Sequence, residues 1–369
     1  MSLKTLRAKR FRRFSPVKKI LSIVGARPQF IKAAALSPKL REAFSEILLH
    51  TGQHYDTKMS DVFFADLKIP NPDYSCDIHG GSPSEQTGRM IMEIEKIAVK
   101  ENPDFVLVYG DTTSTLAGAI VAAKLGVCLV HVEAGLRSYN RKMPEEVNRL
   151  LTDHVSDVLM VPSKGAEMNL AKEGISKGVH IVGDIMLDLF LRNLSLIKDN
   201  QTLLSQLKLE PNAYGVLTLH RSESVDSKTC LSEILSALSK LPLQLIFPIH
   251  PRTSQRIKDF GIQLGKNIRL VEPLGYGEMM RLCHSAETIF TDSGGLQKEA
   301  YFLGVPCLTL RTETEWTETV DAGWNHVVGN SLGELPEHYA KAKSQREKPR
   351  PAIYGEGNTA EKISKILSG

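Results

Sequence analysis

The sequence predicts an α/β protein of two doubly wound domains facing each other across a cleft. Three observations predict it. Short apolar, β-branched runs alternate with helix-length stretches, the pace of a parallel sheet with right-handed crossovers. The alternation halts at a seam and then repeats. The 369 residues, 42% hydrophobic and 24% charged, suffice for two cores at roughly 100–200 residues per domain.

The first strands read as Ile20–Val24, Ile47–His50, Phe105–Tyr109, Cys128–Val132 and Val158–Val161, with helices such as Thr113–Leu125 and Pro144–Asp157 between them. The seam runs from Gly183 to about Glu210 and holds a helical pattern, Ile185–Asp199, then a looser polar segment. The second strands read as Gly215–Leu219, Gln244–Ile249, Ile268–Val271, Thr288–Thr291 and Cys307–Leu310, with helices such as Lys228–Lys240 and Leu296–Leu303. Thr359–Leu367 reads as a final helix. The expected organisation is a basic extension (1–18), a first domain (19–186), a second (187–355) and a C-terminal helix (356–369) packing back on the first.

Composition excludes several function classes. No run of about 18 apolar residues predicts a membrane span, and no apolar region after the basic start predicts a secretory signal. Residues 1–19 hold eight Lys or Arg and no acid, leaving −4 on the remainder of a chain whose formal charge is +4. A mildly acidic body is a poor nucleic-acid binder, and the basic start reads as a solvated extension. Five scattered cysteines without C-x-x-C predict a reduced, cytoplasmic protein with no zinc site, Cys128 and Cys307 being small buried hydrophobes. His50 and His54 lack a third metal ligand, so no metal is expected.

The polar residues gather where strands end. Ile20–Val24 runs into Gly25-Ala26-Arg27-Pro28, with Lys32 a turn further on; two cations at a helix N-terminus make an anion site. Phe105–Tyr109 ends in Gly110-Asp111, where Asp111 could also cap the next helix. Cys128–Val132 ends in Glu133, which burial would oblige to pair, with Arg137 as the nearest cation. Asp111 and Glu133 at one sheet edge are expected to raise each other's pKa, which suits acid/base work. Glu145 and Glu146 follow Pro144 in the first turn of a helix, where acids also suit the dipole. His220-Arg221 and His250-Pro251-Arg252 end two strands of the second half. Thr291-Asp292-Ser293-Gly294-Gly295 leads into a helix whose N–H groups could hold a phosphate, with Glu299 placed to accept hydrogen bonds from ribose hydroxyls. Neither G-x-G-x-x-G nor G-x-x-x-x-G-K-[ST] occurs, which disfavours nicotinamide and P-loop chemistry.

Seven segments taken together carry a resemblance: GARPQFIK (25–32), TGQH (51–54), YGDTTST (109–115), HVEAGLR (131–137), MPEEVNR (143–149), LHRSES (219–224) and TDSGGLQKE (291–299). From about Lys19 onward the chain resembles the non-hydrolysing UDP-N-acetylglucosamine 2-epimerases, whose two Rossmann-like domains form a GT-B-like fold. The resemblance implies cofactor-free inversion at C2 of a UDP-amino sugar through UDP elimination to a glycal and re-addition. It implies a homodimer serving surface-polysaccharide precursors, with no nucleic-acid or membrane partner. It implies that Asp111, Glu133, Glu145 and His220 are catalytic, and that Arg27, Lys32, His220, Met279, Ser293, Gly294, Gly295 and Glu299 bind the UDP-sugar.

The chain also departs from that pattern. Arg221-Ser222-Glu223 stands where Arg-Arg-Glu is usual, and Glu313-Thr314-Glu315-Trp316-Thr317-Glu318 where T-T-E-R-P-E is usual. The GARPQFIK (25–32) and Thr314-Glu315-Trp316 forms look closest to the branch acting on UDP-2,3-diacetamido-2,3-dideoxyglucuronate, the named competitor for the substrate. Gln53-His54-Tyr55-Asp56 departs from the run used for substrate activation in bacterial relatives, so weak or no activation is expected. A glycosyltransferase of the same fold, a hydrolysing epimerase and a non-catalytic nucleotide-sugar sensor are the remaining alternatives. The carboxylates in one half favour proton chemistry over all but the second.

Overall fold

The computed structural model describes residues 17–53, 71–192, 194, 202–329 and 331–369, except for the side chain of Arg27. The expected fold is the observed one: two all-parallel sheets flanked by helices. The first sheet has the order β3-β2-β1-β4-β5-β6-β7, from β1 (Lys19–Val24), β2 (Ser45–His50), β3 (Tyr74–Ser75), β4 (Phe105–Tyr109), β5 (Cys128–Val132), β6 (Val158–Val161) and β7 (Val179–Ile181). The second has the order β10-β9-β8-β11-β12-β13, from β8 (Tyr214–Thr218), β9 (Gln244–Pro248), β10 (Ile268–Val271), β11 (Thr288–Thr291), β12 (Cys307–Thr309) and β13 (Asn325–Val327).

Both faces of each sheet are covered, so the central strands read as continuous apolar runs. Leu21, Ile23, Val106 and Val108 pack under helices Pro83–Glu101 and Thr113–Leu125 on one face of the first sheet. On the opposite face the core is continuous into the second sheet. Phe190, Phe302, Tyr354 and Trp316 form the bridge, with ring centroids 5.8, 5.8 and 6.1 Å apart in that order. Helix Thr359–Ser368 packs on helices Arg27–Leu40 and Ile185–Arg192. Its first turn is capped by Asp188, whose carboxylate accepts from the N–H groups of Thr359 (3.0 Å) and Ala360 (2.8 Å).

Strand order reverses between β1 and β4 in one sheet and between β8 and β11 in the other. Open parallel sheets bind ligands at such switch points, beyond the carboxyl ends of the strands. Most of the segments singled out in the sequence follow these four strands and β5; TGQH follows β2, and His250-Pro251-Arg252 follows β9.

Some expectations need correction. Strands β3, β7 and β13 carry no apolar run and are visible only through their pairing at sheet edges. Cys128 is half-buried rather than buried, whereas Cys307 is buried. Residues 1–16 of the basic extension and His54, Tyr55 and Asp56 lie outside the described residues, as do 195–199 of the expected Ile185–Asp199 helix. No helix among the described residues is long and apolar enough to cross a membrane.

Candidate active site

The turn after β1 is built on a close approach. A Cβ on Gly25 would lie 2.1 Å from the hydroxyls of both Ser114 and Thr51, so glycine alone fits there. Gln29, fully buried, ties this turn to the one after β4. Its Oε1 accepts from the N–H groups of Gly25 (2.8 Å) and Ala26 (3.1 Å), and its Nε2 donates to the Tyr109 carbonyl (3.0 Å) and the Thr115 hydroxyl (2.9 Å). Gln53 accepts from the N–H (3.0 Å) and hydroxyl (2.7 Å) of Ser114 nearby. Arg27 begins the helix, and its side chain lies outside the described residues.

Asp111 does not cap the helix that follows it; Thr112 does. The Asp111 carboxylate pairs with Arg149, and its main-chain oxygen accepts from the Asn148 amide at 2.9 Å. Arg149 also holds Glu146 (2.8 Å), which accepts from the N–H groups of Ser138 and Tyr139 at 2.9 Å each. Burial pushes the Glu146 carboxyl up, but those donors outweigh it and hold it below the usual range. Glu145, its neighbour, is half-buried and makes no ion pair or side-chain hydrogen bond among the described residues.

Glu133 is the most constrained carboxylate of the site. Its backbone is left-handed, with φ +70°, a conformation that costs a non-glycine residue about 1–3 kcal/mol. One carboxylate oxygen accepts from Lys32 (2.6 Å) and the other from Lys298 (2.9 Å). Two readings are corrected here. Glu133 does not pair with Arg137, which instead binds Asp153 (2.7 Å) and Glu173 through two parallel bonds of 2.7 Å. Nor is the Glu133 pKa raised: burial pushes it up, but Lys298 and Lys32 outweigh burial and hold it at about 2. Lysines distant in sequence, delivered by two helices, displaced the nearby arginine.

Two residues before Glu133, within β5, His131 is buried with its ring nitrogens 2.7 Å from Asp153 Oδ1 and 2.7 Å from the Gly110 carbonyl. It joins the turn that carries Asp111 to the strand that carries Glu133.

In the second sheet, His220 is exposed at the end of β8. Its Nδ1 lies 3.3 Å from Asp292 Oδ1 at the end of β11. Asp292 is fully buried and accepts from the N–H groups of His220 (2.9 Å) and Arg221 (3.0 Å). Ser293 caps helix Gly294–Leu303, its hydroxyl accepting from the Leu296 N–H at 3.4 Å. A Cβ on Gly294 would lie 2.3 Å from Glu315 Oε1, whereas one on Gly295 would meet only the Ser293 hydroxyl at 3.9 Å. Glu299 is buried a turn further on, and Met279 is half-buried on helix Tyr276–His284.

Sequence reasoning assigned no role to Asp292, Lys298 or Glu315. Glu315 is buried; Arg311 (3.0 Å), Arg149 and Arg221 outweigh its burial and hold its pKa below the usual range. The signal for Asp292 and Lys298 was present, since both fall inside TDSGGLQKE. The signal for Glu315 was its place in the segment that departs from T-T-E-R-P-E. Among the described residues, no three His, Cys, Asp or Glu side chains converge as a metal site.

The two strand edges meet. Lys298 from the second sheet reaches Glu133 on the first, Asn140 donates to Glu313 at 2.5 Å, and Ser163 bonds Glu318. The arrangement holds carboxylates and cations on one side, and a histidine beside a helix N-terminus on the other. It is suited to moving protons while stabilising an anion.

Comparison with known proteins agrees. The family model for UDP-N-acetylglucosamine 2-epimerase matches residues 38–368. A UDP-N-acetylglucosamine 2-epimerase homologue of Methanococcus maripaludis is 48% identical over 95% of this chain and 99% of its own. The UDP-2,3-diacetamido-2,3-dideoxy-D-glucuronate 2-epimerase of Pseudomonas aeruginosa is 44% identical over 95% and 99%. The crystal structure of the Methanocaldococcus jannaschii UDP-GlcNAc 2-epimerase with UDP-GlcNAc and UDP matches with a TM-score of 0.86 and 41% identity, over 95% of this chain and 99% of that one. The two-sheet architecture, the furnished switch points and these likenesses converge: the chain belongs to the UDP-N-acetylglucosamine 2-epimerase family.

Proposed function

We propose that this chain is a non-hydrolysing epimerase that inverts C2 of a UDP-2-acetamido sugar, converting UDP-N-acetylglucosamine to UDP-N-acetylmannosamine. The observation that carries this reading is the seam itself, where the Glu133 carboxylate of one sheet meets Lys298 on the helix that begins with the phosphate-type turn of the other. A carboxylate takes the C2 proton, and the C–H electron pair becomes a C1=C2 double bond. The C1–O bond breaks and its pair leaves with UDP. UDP then adds back to C1 as C2 is protonated on the opposite face, so atoms and charge balance without a cofactor. Asp111, Glu133 and Glu145 serve the proton transfers. His220, oriented by Asp292, stands by the departing diphosphate. Arg27, Lys32, Met279, Ser293, Gly294, Gly295 and Glu299 hold the nucleotide sugar. The relatives named for UDP-N-acetylglucosamine support this substrate.

A second reading has its own support. The Pseudomonas aeruginosa relative is 44% identical, and the Glu315-Trp316 form favours its substrate, UDP-2,3-diacetamido-2,3-dideoxyglucuronate. Proton NMR in D2O tests both. Deuterium entering C2 of UDP-N-acetylglucosamine with UDP still attached supports the first reading. Exchange only with the diacetamido-uronate supports the second, and release of free UDP and sugar moves the enzyme to the hydrolysing branch.

The cellular setting belongs to the same reading: a cytoplasmic homodimer feeding surface-polysaccharide synthesis. Exposed Met92, Val99, Val147, Leu151 and Val155, on helices either side of Thr113–Leu125, offer an apolar surface for the second copy.

A further inference from the structure

One buried cation of the seam has no role in the reading above. Lys298 lies on helix Gly294–Leu303, a turn beyond the phosphate-type turn, and is 2% exposed. Its ammonium donates to Glu133 Oε2 at 2.9 Å and to Asp184 Oδ2 at 2.5 Å, and stands 4.1 Å from the centre of the Trp316 ring. Trp316 is fixed in turn by its indole N–H, which donates to the Gly294 carbonyl at 2.9 Å. Asp184 follows β7, and its N–H donates to the Tyr354 carbonyl at 3.0 Å. Three separate segments therefore converge on one ammonium, and a fourth, through the Tyr354 carbonyl, holds Asp184. A lone buried ammonium is costly; two carboxylates and an aromatic face compensate it.

We propose that Lys298 is a positioning residue: reaching across from the second sheet, it anchors Glu133 at the rim of the first, while Asp184 and Trp316 anchor Lys298. The proposal rests on the epimerase reading and deepens it. Glu133 occupies a left-handed backbone position in which its carboxylate is held, among the described residues, by Lys32 and Lys298. With both lysines engaged it is a fixed anion, and the same contact tells the first sheet where the second sheet's nucleotide turn lies. Among the described residues, the charged and titratable groups facing Glu133 are Lys32 from helix Arg27–Leu40, Lys298 from Gly294–Leu303, Asp184 after β7 and the buried Tyr354 of the C-terminal segment. Two lysines balance two carboxylates. Removing Lys298 alone leaves Glu133 with Lys32 and takes the paired cation from Asp184, and Glu133 gains proton affinity.

The test compares Lys298→Met, Lys298→Arg and the double variant Lys298→Met/Asp184→Asn with the wild type, by C2 deuterium exchange of the UDP-sugar across pH 5–9. UDP binding by calorimetry and the melting transition are measured alongside. The double variant removes the unpaired carboxylate and guards against a folding failure. The expected result is a fall in kcat of about 10- to 150-fold in both Met variants, the loss of one charge-assisted hydrogen bond. KM and UDP affinity stay within about 3-fold on the same grounds, because the bond lies off the nucleotide. The acid limb of kcat moves to higher pH in Lys298→Met, and Lys298→Arg recovers part of the rate. Wild-type exchange with an unchanged rate and pH profile in both Met variants overturns the proposal alone. So does loss of UDP binding or of the cooperative melt in the double variant, which would make Lys298 a structural residue. A wild-type enzyme that exchanges neither sugar overturns the epimerase reading and the proposal with it.

Discussion

Replacing Asp292 by Asn changes one atom of the seam and tests how His220 is used. Asp292 Oδ2 accepts two backbone N–H groups, at 2.9 and 3.0 Å, while Oδ1 faces His220 Nδ1 at 3.3 Å and takes a longer share, 3.2 Å, of the His220 N–H. An asparagine keeps its oxygen on the two backbone donors and turns its NH2 toward the imidazole. Nδ1 must then accept rather than donate, so the proton of the neutral ring moves to Nε2 and the outward-facing nitrogen loses its lone pair. The fold keeps the two bonds to Oδ2, loses the longer one to Oδ1 and loses the charge of the acceptor, a cost of about 1–2 kcal/mol. The chemistry loses a correctly prepared proton donor and acceptor, about 10²- to 10⁴-fold in kcat. The assay is C2 deuterium exchange by NMR beside UDP calorimetry and thermal melting. A variant that melts slightly lower, binds UDP within a few-fold of wild type and turns over hundreds of times more slowly bears out the reasoning. A kcat within about threefold of wild type refutes it, since no role for the ring's tautomer would then remain.

Three further predictions follow from the same contacts. Gly294→Ala puts a methyl 2.3 Å from Glu315 Oε1, forcing Glu315 off Arg311; a loss of about 1–3 kcal/mol and weaker UDP binding are expected by melting and calorimetry, and wild-type values in both would contradict the close approach. Asp188→Ala removes both acceptors that cap helix Thr359–Ser368 and should cost about 1–2 kcal/mol, read as a lowered denaturant midpoint with the slope unchanged. Acid should destabilise the fold through carboxylates held low by their partners. Glu133, at about 2, and Glu146, Asp153 and Glu315, all below their ordinary values, contribute stability that is present above the unfolded pKa and lost as pH falls through the folded one. Asp184, raised by burial, works in the opposite direction and offsets a part. The melting temperature should hold from pH 8 to 6 and fall progressively below about pH 5; a flat profile down to pH 3 would remove these groups from the account.

The fold was legible because its central strands are buried on both faces and carry mostly apolar runs four to six residues long. Phe105–Tyr109, Cys128–Val132 and Thr288–Thr291 appear with the boundaries that pattern predicts. Strand Val179–Ile181, with its central histidine, has no such run, and only its partner β6 makes it a strand. In the site, the residues at the switch points could be read because each follows a strand directly. The partners could not. Lys298 lies 165 residues from Glu133, while Arg137 lies four away, and nothing in the sequence says that the helix carrying Lys298 points at the first sheet. The expected raising of the Glu133 pKa by Asp111 failed for the same reason: Glu133 has two lysines of its own, while Asp111 sits on Arg149.

Helix Thr359–Ser368 has a consequence for how the protein comes into being. The ribosome makes it only after the entire second sheet, yet Ile363 and Leu367 are buried against helices that were made first. Domains generally condense in order of synthesis. Here the earlier one emerges with an apolar flank uncovered and waits for a segment from the far end of the chain. A translational pause anywhere in the second sheet therefore prolongs the lifetime of a sticky nascent intermediate, one that a holding chaperone would be expected to shield.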